Sequence, residues 1–229
     1  SGGDVGHASI KHMTADRFNS SESALHLVRS RPAAETAASI DSDRILDAAL
    51  ELIVEEGLPR TTMTAIARRA GVARATLYRR WENVTSIAAD VSTREWNRLT
   101  ERAAERSVGS TRERVVATVV GIVGEMRSHP LLRAIVEESP EFLTPYQVRR
   151  PGQVSAFHLA IIEDALRQGA ADGSIRDGDP AVQAQTVLLM SWSFVITAPA
   201  ILEVPDAVGP QMDALDAELA LALDRYLAP

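Results

Sequence analysis

The stretch TAIARRAGVARATLYRRW, residues 64–81, holds five arginines and no carboxylate, in a chain of 229 residues with a formal net charge of -7. Extending it to residues 57–81 adds Arg60 and still no acid. A local reversal of charge predicts a strongly negative partner, and repulsion from the rest of the chain would orient its approach. Duplex DNA carries about one charge per 1.7 Å of helix axis, so it is the expected partner.

The same stretch has the spacing of two short helices joined by a tight turn. One helix is expected from about Thr62, a suitable cap, to just before Gly71, and the next from about Arg74 to Trp81. A longer helix over residues 41–56 precedes them, because its apolar residues recur at helical spacing before Gly57. Two short helices around a glycine turn form a helix-turn-helix, whose second helix enters the major groove.

On that second helix Leu77 and the Trp81 ring are expected to point inward, which leaves the other side chains outward. Arginine can bind guanine O6 and N7 with two bonds, and a small alanine can lie against a thymine methyl. Threonine hydroxyls at helix starts and a tyrosine phenol suit phosphate oxygens. The candidate DNA contacts are Thr62, Arg74, Ala75, Thr76, Tyr78 and Arg79. The alternative to DNA binding is that these arginines only form a solvated surface of the protein.

The rest of the chain predicts an all-α protein without a convincing alternating strand. Residues 1–40 are expected to be an expression-tag remnant, up to about residue 12, followed by a flexible arm. Residues 41–85 would form the helix-turn-helix domain, and residues 86–229 a helical domain for effector binding and dimerisation. Its helices are expected at about 84–98, 111–128, 128–139, 153–170, 180–198 and 210–227, with an irregular segment over 142–153.

Two apolar segments predict contacts between copies of the chain. No charged residue occurs across the 23 positions from Pro180 to Leu202. The polar side chains and two prolines of this segment favour a buried helix over a membrane span. In the last helix, a stripe near 3.5-residue spacing adjoins small residues, which predicts a four-helix interface across a twofold axis. The alternative is that both stripes fill the subunit's own core. The stripe is Met212, Leu215, Leu219, Leu223 and Tyr226, and the small residues are Ala214, Ala217 and Ala220.

The second domain also contains candidates for an effector pocket, which is expected to be apolar with few polar groups. The candidates are Met126, Leu132, Phe142, Tyr146, Phe157, His158, Trp192 and Phe194. Each also fits ordinary core packing, and His158 fits either a polar anchor or a satisfied core histidine. The lack of charge near Trp192 favours a hydrophobic effector.

Several function classes lack their usual signatures. The chain has no cysteine, which excludes disulfides and fits a reducing cytoplasm. There is no HExxH, GxSxG, Walker or GxGxxG motif, so an enzyme is not expected. The five histidines are scattered, and neither a metal site, a cofactor nor a secretory signal is predicted.

The segment TTMTAIARRAGVARATLYRRWENVTSI, residues 61–87, resembles the DNA-binding signature of the tetracycline-repressor (TetR) family. The resemblance implies an all-helical homodimer with three N-terminal DNA-binding helices and a C-terminal body for ligand and dimerisation. By position it implies the same six DNA contacts, with Leu77 in the core. LRQGAADGSIRDGDPAV, residues 166–182, resembles a helix-loop-helix common in the family's second half.

Two positions depart from that family pattern. Ala73 stands where the family often has serine, which removes a side-chain cap worth about 1 kcal/mol. Val84 stands where the family often has lysine, so one phosphate contact is expected to be missing, and Arg80 is a candidate to replace it. The expected function is a homodimeric regulator, a repressor released from a palindromic operator by a small hydrophobic effector. The alternative is a protein-interaction module on the same fold that no longer reads DNA.

Overall fold

Helices form the architecture of the described residues. The computed structural model describes residues 37–143, 153–204 and 207–229, and no strand occurs among them. Residues 1–36 of the predicted tag and arm lie outside these ranges, as do Tyr146 and the side chain of Phe157. The last four residues of the predicted arm, 37–40, are helical. The α-helices are α1 (Ala37–Glu56), α2 (Met63–Ala70), α3 (Arg74–Tyr78), α4 (Val84–Arg106), α5 (Thr111–Ser128), α6 (Pro130–Glu138), α7 (Gln153–Ala171), α8 (Pro180–Ile201) and α9 (Pro210–Leu227).

Helices α1 to α3 pack around their own apolar side chains. Ile45, Ile53, Ile66 and Leu77 are 0–1% exposed, at the helical spacing that predicts one inward face per helix. Burying a side chain of this size contributes about 1.5–3 kcal/mol. This cluster holds the short α3 in place, because five residues are too few for a stable helix in isolation.

Helix α4 continues from this N-terminal cluster into the rest of the molecule. It begins with a reciprocal capping box between Asn83 and Ser86. Near its start Ile87 and Val91 are buried, and further along Trp96 and Leu99 are buried. The helix packs against both α1 and α5. The boundary predicted at residue 85 therefore falls inside a continuous helix, and the division of roles there stays a prediction.

Helix α5 is buried on several sides, as its run of apolar residues predicts. Val115, Val119, Val123 and Met126 are all under 9% exposed. The helix packs against α4, α7 and α9. It forms the centre of the second half of the molecule.

Helix α9 buries side chains that the predicted dimer interface would place on the surface of the subunit. Three members of the predicted interface stripe, Met212, Leu219 and Leu223, are buried within their own chain, where α9 packs on α5. These three side chains fill the subunit's core, because they share one face of the helix. Ala214 and Ala217 are exposed on another face.

Helix α8 was expected to be buried, and in this chain most of it is not. Only 22% of its most apolar window is buried, and by length and composition it could cross a membrane. Val182, Leu189 and Ile201 are 54–73% exposed. Near its end Ser193–Thr197 forms a π-turn, in which the Ala198 N–H donates to the Ser193 carbonyl. The following Pro199 has no N–H to donate, which accounts for the local break in the α-helical pattern.

Candidate nucleic-acid interface

The turn between α2 and α3 is fixed by caps at both ends of α2. The Thr62 hydroxyl accepts from the Ala65 N–H at 3.1 Å and so caps the first turn. Gly71 ends the helix at φ 67° and ψ 34°, in the left-handed region that favours glycine. The next N–H, that of Val72, donates to the Ala67 carbonyl at 3.0 Å, which completes a Schellman motif.

A contact from α1 supports the same turn. Nη2 of Arg44 donates to the Ala70 carbonyl at 2.9 Å. A Cβ on Gly71 would lie 3.2 Å from that nitrogen, so the turn and the guanidinium fit closely. No pattern in the sequence predicts this contact, because a single arginine on the exposed face of α1 carries no signal of a tertiary partner.

Helix α3, the predicted recognition helix, is shorter than expected. It ends at Tyr78 instead of Trp81, and the N–H groups of Arg80 and Trp81 both donate to the Leu77 carbonyl at 2.9 Å. Ala73 makes no side-chain cap, as its lack of a hydroxyl predicts. Leu77 is 0% exposed and Trp81 is 3% exposed, so both predicted inward side chains are confirmed. Nε1 of Trp81 also donates to Oδ2 of Asp90 at 2.8 Å, which anchors α3 to α4.

The predicted DNA contacts on α3 and just after it lie on its outer side. Arg74, Ala75, Tyr78 and Arg79 are exposed, and Thr76 is half-buried. The Arg74 guanidinium lies 5.9 Å from the centre of the Tyr78 ring. Thr62 is also exposed, at the start of α2. The structure therefore brings five of the candidates together around one short helix and places Thr62 at the neighbouring helix start.

Two arginines of the basic stretch are paired with acids. Nη2 of Arg69 lies 2.8 Å from Glu55 and its Nη1 lies 3.3 Å from Glu51. The hydrogen bond from Arg69 lowers the pKa of Glu55, and the bond to Glu55 raises the pKa of Arg69. Arg60 pairs with Glu138 of α6 at 3.0 Å. These two charges are partly neutralised before any partner arrives.

A third arginine, Arg80, contacts two neighbouring side chains, Ser42 and Trp81. It donates to the Ser42 hydroxyl, and its guanidinium lies 4.8 Å from the centre of the Trp81 ring. The remaining three, Arg68, Arg74 and Arg79, make no ion pair with any residue that the structure describes. The outer surface around α3 therefore presents three unpaired cations, half of the six that the sequence counts.

The candidate effector residues fall into two groups. Met126 and Leu132 are 3–6% exposed and belong to the core. Phe142, Trp192 and Phe194 are partly buried and pack against that core. His158 is partly buried, and burial lowers its pKa to about 4. Within the described ranges, no group of three or more His, Asp or Glu residues could hold a metal ion.

Comparison with known proteins defines the class. The family described as "Bacterial regulatory proteins, tetR family" matches residues 45–91. An HTH-type transcriptional regulator of Mycobacterium tuberculosis is 33% identical over 80% of this chain and 93% of its own length. The two short helices joined by a capped glycine turn, together with this relative, define a helix-turn-helix transcriptional regulator. The chain belongs to the TetR family.

Weaker similarities extend along most of the chain. The fatty acid metabolism regulator protein of Bacillus subtilis is 26% identical over 59% of this chain and 71% of its own. A structure of the transcriptional regulator FadR from B. subtilis in complex with stearoyl-CoA has a TM-score of 0.58, with 19% identity over 81% of this chain and 98% of that one. The R. erythropolis transcriptional repressor QsdR has a TM-score of 0.60, with 19% identity over 83% and 97%. These two structures share the fold.

Proposed function

We propose that the protein is a homodimeric repressor whose two α3 helices read a palindromic operator, and which a hydrophobic effector releases. The observation that carries this proposal is that the candidate side chains on and beside α3 face outward, while Leu77 and Trp81 anchor the helix in the core. Arg74 and Arg79 would contact guanine edges or phosphates, and Ala75 a thymine methyl. Thr62, Thr76 and Tyr78 would contact phosphate oxygens. Arg80 would reach DNA only after leaving Ser42.

The proposed dimer uses the exposed faces of α8 and α9. Val182 and Leu189 of α8 are more than half exposed, and a monomer would leave these apolar side chains in water. Ala214 and Ala217 of α9 are exposed and small, so a second helix can approach closely. The occupant we propose is a second copy of this chain, which would bury the same faces on both subunits. Such a dimer would present two recognition helices about 34–36 Å apart.

This dimer also accounts for the apolar length of α8 without a membrane. The exposed side chains of α8 lie on one side of a helix whose other side, at Ala184 and Val187, is buried. A lipid-spanning helix would need an apolar surface all round or several partner helices. We therefore propose a cytoplasmic protein. We also propose that it has no enzyme activity and needs no cofactor.

The proposed effector carries an apolar chain. Phe142, Trp192 and Phe194 are aromatic, partly buried and adjacent to the core, which is the lining that apolar ligands prefer. A relative is a fatty acid metabolism regulator, and a protein of similar fold is complexed with stearoyl-CoA. These similarities favour an acyl chain. It would release DNA by binding better to a conformation in which the recognition helices no longer fit the operator.

The test uses DNA from upstream of the protein's own gene, with affinity measured by fluorescence anisotropy. We expect Arg74→Ala to weaken specific binding about 5- to 150-fold, which corresponds to about 1–3 kcal/mol. Arg114→Ala removes the same charge from the start of α5, where Arg114 contacts Gly109 and Thr111. It should leave the affinity within about twofold. Equal affinities for wild type and Arg74→Ala would refute the proposed recognition helix.

The second candidate is a protein-interaction module that no longer reads DNA. The uncapped start of α3 at Ala73 and Val84 in place of a basic residue favour it. A salt titration separates the two functions. DNA affinity should fall steeply with salt for a regulator, and no specific DNA binding should be measurable at any salt concentration for an interaction module.

A further inference from the structure

A buried ion pair joins α5 to α9 in the effector half of the molecule. Arg127 is 4% exposed. Its Nη1 and Nη2 lie 2.7 and 2.5 Å from Oδ1 and Oδ2 of Asp216, whose side chain is 19% exposed. The pair is bidentate, so the carboxylate uses both terminal nitrogens and compensates the arginine's charge.

The pair leaves one buried donor unused. Nε of Arg127 is inaccessible to solvent and has no hydrogen-bond partner among the described residues. A buried donor without an acceptor costs about 1–3 kcal/mol, so such a group in a native structure calls for an explanation. Nε and Nη2 share one edge of the planar guanidinium, and that edge faces away from the bond to Asp216 Oδ1.

The backbone next to the pair carries no side chain. Gly124 lies one turn before Arg127 on α5, and a Cβ there would lie 3.9 Å from Arg127 Nη2 and 3.7 Å from Asp216 Oδ2. Glycine inside a helix costs roughly 0.5–1 kcal/mol relative to alanine. An alanine would meet only ordinary van der Waals contacts, so sterics do not require glycine. The missing Cβ of Gly124 leaves a space of about one methyl group beside the Nη2 edge of the buried Arg127 guanidinium.

We propose that the effector carries an uncharged hydrogen-bond acceptor at the head of its apolar chain, and that Arg127 Nε donates to it. The inference rests on the proposed effector function. Asp216 already balances the guanidinium, so the site lacks an acceptor and not a negative charge. A carbonyl oxygen of an ester, thioester, amide or lactone supplies that acceptor. A free carboxylate would place a second negative charge beside Asp216 in a buried site, which is unfavourable.

The experiment compares three ligands of similar length: methyl decanoate, decanoate and 1-chlorodecane. Each displaces the neutral fluorescent probe N-phenyl-1-naphthylamine from the full-length protein at pH 7. A hydrogen bond to a charged donor is worth about 1.5–3 kcal/mol, so methyl decanoate should bind about 10- to 150-fold more tightly than 1-chlorodecane. It should bind at least about tenfold more tightly than decanoate.

Two variants test the role of the pair. Replacing only Arg127 would strand a buried carboxylate, so the first variant is Arg127→Met with Asp216→Leu, an exchange for apolar residues that proteins often tolerate. It should reduce the preference for the ester over 1-chlorodecane to less than about twofold. Gly124→Leu, which covers the Nη2 edge, should weaken ester binding while the Arg127–Asp216 pair remains. Melting temperature and operator affinity check that both variants fold.

The outcomes separate this inference from the proposed function. If the three ligands bind wild type equally, or if the double variant keeps its ester preference, Arg127 does not bind the head group, although an apolar effector still stands. Tighter binding of decanoate than of its ester would overturn the uncharged head group in the same way. If none of the three binds or changes operator affinity, both this inference and the apolar effector are overturned.

Discussion

Nη2 of Arg60 lies 3.0 Å from Oε2 of Glu138, and this ion pair joins the turn between α1 and α2 to the last residue of α6. Gly57, at φ 84°, lies directly against the same carboxylate, where a Cβ would collide with it. The two side chains are 63% and 39% exposed, so the pair contributes little to stability. Its consequence is electrostatic, because Arg60 lies two residues before Thr62, a proposed phosphate contact.

Breaking this pair from the acidic side should strengthen DNA binding. Glu138→Gln frees Arg60 and removes a negative charge near the DNA-facing turn, so operator affinity at low salt should rise severalfold and its salt dependence should become steeper. Arg60→Gln should weaken operator affinity at low salt by a similar factor, because it leaves the Glu138 carboxylate unpaired beside the same turn. Anisotropy titrations of both variants at several salt concentrations would measure this. Weaker binding by Glu138→Gln would show that Arg60 does not approach DNA.

The number of unpaired arginines sets the salt dependence of the wild-type protein. Three free cations in each subunit of a dimer predict a slope of about -5 for log affinity against log salt. If all six arginines of residues 57–81 contacted phosphates, the slope would be about -11. Affinity measured between 50 and 300 mM KCl distinguishes the values. A slope near the larger one would mean that Arg60, Arg69 and Arg80 leave their present partners on binding.

The proposed dimer predicts that a charge on α8 will separate the subunits. Leu189 is 71% exposed on the α8 face, and Leu189→Asp would place a carboxylate in the middle of the buried interface. Light scattering coupled to size exclusion should then report a monomer. Val108→Asp is the matched control, because Val108 is 81% exposed between α4 and α5 and outside the proposed interface. Dissociation of both variants, or of neither, would argue against this interface.

The turn of the helix-turn-helix should be sensitive to a single methyl group. Gly71→Ala places a Cβ in the left-handed region, which costs about 1–2 kcal/mol, and presses on Arg44 Nη2 at 3.2 Å. Gly173→Ala has a similar φ of 75° but meets nothing within 4 Å, so it reports the backbone cost alone. Urea unfolding should show a larger loss of stability for Gly71→Ala. Only Gly71→Ala should also weaken operator binding.

Stability should fall below about pH 6.5 because of His158. Burial lowers its folded pKa to about 4 from 6.5, so the unfolded chain binds a proton first and the folded state loses stability as pH falls between these values. Between pH 7 and 4.5 this one group accounts for about 2–3 kcal/mol. His158→Gln should flatten the pH dependence of urea unfolding by that amount. An unchanged pH dependence would mean that the pKa of His158 is the same in the folded and unfolded chains.

Local sequence rules predicted the helix-turn-helix closely. Thr62, Gly71 and Leu77 each have one role that short-range chemistry decides: a cap, a left-handed turn and an inward side chain. The end of α3 was predicted three residues too late. The chain turns after Tyr78 so that Trp81 can reach Asp90, and a hydrogen bond to a residue of α4 leaves no mark on the local pattern.

Longer-range contacts escaped prediction for the same reason. The pairing of Arg69 with Glu55 depends on how α2 crosses α1, although two acids one turn apart on α1 were a possible signal. The apolar spacing of α9 could not show whether Met212 and Leu219 face α5 or a second subunit, because both environments reward the same side chains. The apolar sequence of α8 likewise could not show how much of the helix the chain itself buries and how much it leaves for a second subunit.

The unbroken length of α4 has a mechanical consequence. At about 1.5 Å per residue, its 23 residues extend roughly 34 Å, with Trp81 fastened to one end through Asp90 and α5 packed along the other. A tilt of α4 by about 5° about its C-terminal end would move its N-terminal end, next to Trp81, by about 3 Å. That displacement is on the order of the length of one hydrogen bond. A lever of this length would convert a small rearrangement around the proposed effector into a displacement large enough to break contacts with base edges.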